Sequence, residues 1–139
     1  MRKTLIALSS LLVLTGCGQS VEASLKETCS TVMADADVQR DILEAKVTLE
    51  AYCSCASKQI LAMPEADRDT AIETMEMVAG LMAENNGSAE AAFRKLSEAR
   101  RADDATPDAI AAYENMDELG EQLEDFLDGM RASGGTCPA

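Results

Sequence analysis

Residues 49–60, LEAYCSCASKQI, decide how this chain folds, because they read as one helix that can be stapled on two sides. Leu49, Tyr52, Cys53, Ala56 and Ile60 recur at spacings of three and four, which puts them on one stripe of an α-helix. Residues two apart on a helix point about 200° from one another, at about 100° of rotation per residue. Cys53 therefore lies on the apolar stripe while Cys55 lies well off it. Upstream, Val38, Ile42 and Ala45 extend the same stripe, so the pattern predicts a helix capped by Asp35 or Asp37 and running to about Ala62, where Pro64 breaks it.

The flanking segments follow the same rule. A helix is expected near Val21 to Met33, with Leu25, Cys29 and Val32 on its inner side. Pro64 suits the first turn of a further helix burying Ala71, Ile72, Met75, Val78, Ala79 and Met82, which Asn85-Asn86-Gly87 stops. Ser88 caps a short helix around Phe93 and Leu96 that ends by Asp103 or Asp104. Thr106-Pro107-Asp108 supplies an N-cap, a proline for the first helical position and an acid at the positive end of the dipole. The last helix carries Ala112, Met116, Leu119, Leu123, Phe126, Leu127 and Met130 inward, and Ser133-Gly134-Gly135 closes it, leaving Cys137-Pro138 on a tail. With 23 alanines, four aromatic residues and no alternating β-branched runs, the expected class is all-α: one small bundle of four to five helices over residues 21–139.

Cys29, Cys53, Cys55 and Cys137 are an even set in a small domain, the pattern of two disulfides formed in an oxidising compartment. Each bridge contributes about 2–4 kcal/mol. Cys29–Cys53 with Cys55–Cys137 is favoured, because Cys29 shares an apolar stripe and the tail can reach a flank. Exchanging the partners of Cys53 and Cys55 remains open, whereas a Cys53–Cys55 bond is disfavoured in an intact helix.

The amino terminus fixes location. Arg2 and Lys3 form a cationic start, Leu5 to Leu14 an apolar run too short to span a bilayer of about 30 Å, and Leu14-Thr15-Gly16-Cys17 follows. That ending resembles the lipobox of bacterial lipoproteins. The resemblance implies cleavage after Gly16, diacylation of the Cys17 sulfur and acylation of the new α-amine, making residues 1–16 a removed signal peptide and 17–20 a lipidated tether. Membrane attachment is then through lipid on Cys17 alone, since two or more acyl chains anchor stably. Gly18 stands where enterobacterial inner-membrane lipoproteins usually carry Asp, so the resemblance favours the periplasmic face of the outer membrane over the inner membrane. Tyr52-Cys53-Ser54-Cys55 is also similar to the YCxC segment of small exported helical proteins of proteobacteria, a likeness of about ten residues that speaks to fold and compartment.

All 25 acidic residues but only 10 of the 12 basic ones lie beyond residue 16, a formal net charge of −15 for the mature part. Such a charge repels nucleic acid, excludes it as a partner, and steers basic proteins toward the surface. The absence of histidine removes Ser-His-Asp and Cys-His catalysis and most zinc hydrolase sites. Asp35 to Lys46 begins like a calcium loop but has Arg40 at the sixth place and Lys46 at the twelfth, where glycine and glutamate are required. No catalytic residue, metal site or cofactor is implied, and no feature specifies an oligomeric state. The expected function is a non-catalytic structural or protein-binding accessory of the cell envelope. Two alternatives are an inhibitor or immunity-type binder of a basic exported protein, and a copper(I) carrier using cysteines and methionines.

Overall fold

The computed structural model describes residues 20–138; the signal segment 1–16, Cys17 and the tether up to residue 19 lie outside them. Among the described residues the chain forms six helices and no strand: α1 (Val21–Val32), α2 (Ala36–Glu44), α3 (Leu49–Leu61), α4 (Glu65–Glu84), α5 (Ala89–Arg101) and α6 (Pro107–Ala132). The all-α class read from the sequence holds. The helix count is one higher than the upper expectation, because the helix drawn from Asp35 or Asp37 to Ala62 is two.

The break lies at Lys46. Its φ of 59° is left-handed, its N–H donates to the Leu43 carbonyl at 2.9 Å, and the Val47 N–H donates back to Ile42 at 3.2 Å. That is a left-handed C-cap, which satisfies two carbonyls at the end of α2. Thr48 then caps α3, its hydroxyl accepting from the Ala51 N–H at 3.1 Å. Helix end and helix start thus occupy four residues, 45–48, and Val47, 3% exposed, takes a core position that a continuous helix would have turned outward. The same cap recurs at Asn86, where the Gly87 N–H reaches Met82 at 2.8 Å, and at Gly134, where the Gly135 N–H reaches Met130 at 2.8 Å.

Helix starts follow the sequence closely. Ser20, Thr48, Ser88 and Thr106 each accept from a backbone N–H three residues on. Pro64 sits at the N-cap of α4, one place before the first turn expected for it, and offers no side-chain cap.

The core is built from Leu25, Cys29 and Val32 of α1, Tyr52, Cys53, Ala56 and Ile60 of α3, Met75, Val78 and Met82 of α4, and Leu119, Leu123 and Met130 of α6. Helix α1 lies against α3 and α4, α6 crosses α4 and pairs with α5, and α2 leans mainly on α3. Phe93 is 38% exposed. The inner stripe of α5 is Ala92, Leu96 and Ser97, small enough to bring α5 close to its neighbours. Phe93 is left at the edge, its ring 5.4 Å from that of Tyr113, and the Arg100 guanidinium lies 3.9 Å over the Tyr113 ring.

Candidate functional site

Both disulfides start from α3. Cys53 is joined to Cys29 of α1 with Cα atoms 5.6 Å apart, and Cys55 to Cys137 of the tail at 5.3 Å, both within the span a disulfide bridges. This is the pairing favoured from the helical angle between Cys53 and Cys55. Both cysteines are nevertheless buried, Cys55 at 2% exposure, because the tail folds back over the flank on which Cys55 lies. Gln59 donates to the Pro138 carbonyl at 2.9 Å. Pro138 in turn packs on Gly129 of α6, where a Cβ would come within 3.1 Å of its ring. With all four described cysteines oxidised, no thiolate among the described residues is free for copper(I). Met33, Met75, Met82 and Met130 are buried among core side chains.

Two polar side chains hold the helices in register. The Tyr52 hydroxyl, buried so deeply that its pKa is pushed far up, donates to the Leu123 carbonyl of α6 at 2.7 Å. Asp35 accepts from the Ala89 N–H at 3.0 Å with one oxygen and from the Asp37 N–H at 3.0 Å with the other. One carboxylate therefore serves the N-termini of both α5 and α2, and these bonds lower its pKa. The local cap was foreseeable; the bond to Ala89, 54 residues away, was not.

One concave feature of the surface, the most apolar, lies between α2 and α6. It is an open groove of about 460 Å³ whose α6 wall is Met116, Leu119, Gly120, Leu123 and Leu127, and whose opposite wall is Val38 and Ile42 of α2. Val32 and Met33 close one end, and Tyr52 and Val78 contribute to the lining. Asp41, Glu124, Asp128 and Arg131 complete it; all four are exposed, and Arg131 is paired with Asp128. An apolar interior edged by convergent charge is the usual form of a binding site. Sequence reading placed Met116, Leu119, Leu123 and Leu127 on an inner face; Leu119 and Leu123 are buried there, while Met116 and Leu127 are only partly covered.

Among the described residues, no helix is long and apolar enough to cross a membrane. No cluster of three or more acidic or cysteine side chains among them is arranged to hold a metal ion. No curated protein and no solved structure matches the chain. Residues 1–17 match the family model of the prokaryotic membrane lipoprotein lipid attachment site. The matched segment ends at Cys17, and the chain is a bacterial lipoprotein precursor whose product is a lipid-anchored protein of the cell envelope.

Proposed function

We propose that the mature chain, held by acyl groups on Cys17, is a non-catalytic periplasmic protein that binds another protein at the membrane surface. The observation that carries this reading is the open apolar groove with acidic side chains at its mouth, in a domain of formal net charge −15. The two disulfides support an oxidising compartment, and Gly18 after the lipid-bearing position supports the outer membrane over the inner. The displaced titrations of Asp35 and Tyr52 have structural causes, a shared helix cap and a buried interhelical bond, and the chain contains no histidine to serve as general base. Both facts support a binding role over catalysis. The excess of acid favours a basic exported partner, as an inhibitor or immunity-type protein would meet.

Two measurements test the reading. The intact mass of membrane-extracted protein, taken without reductant, is expected to begin at Cys17, carry acyl chains and lie four hydrogens below the all-thiol form. In-cell photo-cross-linking from a residue at the groove mouth is expected to give one discrete adduct, and the corresponding complex is expected to dissociate as ionic strength rises. An unacylated chain overturns the anchor; absence of any adduct overturns the binding role.

A further inference from the structure

We infer that the groove between α2 and α6 receives a basic amphipathic helix, its apolar side chains entering the groove and its lysines and arginines meeting Asp41 and Glu124 at the mouth. The inference rests on the protein-binding reading and names the partner chemistry that reading leaves open.

The length of the groove is the first argument. Its α6 wall runs from Met116 to Leu127, eleven residue steps or about 16 Å at 1.5 Å per residue. Such a wall matches apolar anchors spaced over three turns of a partner helix, the usual way an amphipathic helix lies in a groove. The α2 wall is short. It is a nine-residue helix resting mainly on α3, and it ends at the left-handed Lys46.

Gly120 is the second argument. A glycine inside a helix costs about 1 kcal/mol relative to alanine and is normally repaid by a close approach or an unusual backbone angle. Gly120 has neither: a Cβ built on it meets nothing within 4 Å, and its φ is not positive. It does line the groove. Glycine at this position keeps the α6 wall of the groove clear of a side chain.

Charge selects the occupant. A second copy of the chain would bring another net −15 against the first. An anionic lipid headgroup would meet Asp41, Glu124 and Asp128, with the neighbouring Arg131 already paired to Asp128. A cationic, apolar-faced helix is complementary to both wall and mouth.

The test uses the full lipidated protein in phosphatidylcholine nanodiscs, whose neutral surface does not compete for cations. The probe is a fluorescent peptide of about 18 residues with a leucine face and a lysine face. One control exchanges its lysines for glutamates, and another exchanges its leucines for serines at unchanged charge. The leucine–lysine peptide is expected to bind about tenfold or more tightly than either control. Gly120→Leu, which fills the groove while improving helix propensity, is expected to weaken it about tenfold without lowering the melting temperature. The double charge reversal Asp41→Lys with Glu124→Lys is expected to do the same. Gly80→Leu, on α4 and likewise in open space, is expected to leave binding unchanged.

If the serine–lysine peptide binds as well as the leucine–lysine one and Gly120→Leu has no effect, basic partners bind the acidic surface diffusely. The groove inference then falls while the protein-binding reading stands. Equal binding of the leucine–glutamate peptide overturns the basic partner in favour of a lipid-like ligand. No binding of any peptide overturns the inference, and the cross-linking experiment then decides the wider reading on its own.

Discussion

Asp35 shows how much a single side chain can carry. Its carboxylate caps α2 and α5 together, and its pKa in the fold is lowered by those two bonds. A carboxyl group whose folded pKa is depressed contributes stability that is complete above its unfolded pKa and is lost as pH falls through the folded one. Asp35→Asn keeps one acceptor oxygen but loses the second and the charge, so it is expected to destabilise the domain at neutral pH by about 1 kcal/mol, and to narrow the gap to wild type as unfolding is followed into the acid range. Thermal melts of both proteins from neutral to acid pH check this. Ser57 shows the reverse case. It is fully buried in α3 with no hydrogen-bond partner for its hydroxyl, an arrangement that costs free energy. Ser57→Ala is expected to raise stability by about 1 kcal/mol, removing an unpaired polar atom and gaining helix propensity; denaturant unfolding measures it.

At the scale of elements, some helix starts were legible because they are chemical. Ser88 and Thr106 announce themselves before an apolar-periodic run, whereas Thr48, which starts α3, was read as helix interior and Ser20 as tether. The stop at the end of α2 was hidden because a lysine occupies the left-handed position where glycine or asparagine usually signals it. The same geometry was readable at Asn86-Gly87 and Gly134-Gly135. Since a side chain at this conformation costs about 1 kcal/mol or more, Lys46→Gly is expected to stabilise the protein by roughly that amount, partly offset by the entropy glycine gives the unfolded chain. A rise in melting temperature with unchanged circular dichroism checks it. Phe93 was read only as part of α5, without a face. Periodicity locates a stripe to within one residue either way, and size decided the rest, since Ala92 and Ser97 face inward and the ring does not fit beside them. The groove escaped altogether, because periodicity marks Met116 and Leu127 as inward in the same way as the buried Leu119 and Leu123 beside them.

For the molecule as a whole, the covalent frame limits how far the unfolded chain can open. Cys29–Cys53 closes a loop of 24 residues and Cys55–Cys137 one of 82; on the chain-entropy account these are worth about 3.5 and about 4.5 kcal/mol respectively. Replacing Cys55 and Cys137 together by alanine is expected to cost about 2–5 kcal/mol and to free the tail from Gln59 and Gly129. Thermal unfolding and amide exchange at the end of α6 would show it, and a variant as stable as wild type would assign the tail no structural part. The two loops have a further property as a diagram of bonds. They adjoin without overlapping, meeting at Ser54. A protease that severs the backbone once inside either loop produces a nicked molecule still in one piece. Between Cys29 and Cys137, only the two peptide bonds flanking Ser54 separate the molecule into halves when cut, and both lie in the middle of α3 beside buried cysteines. In a compartment where damaged chains are cleared by proteolysis, the most consequential cuts are the ones the fold keeps farthest from reach.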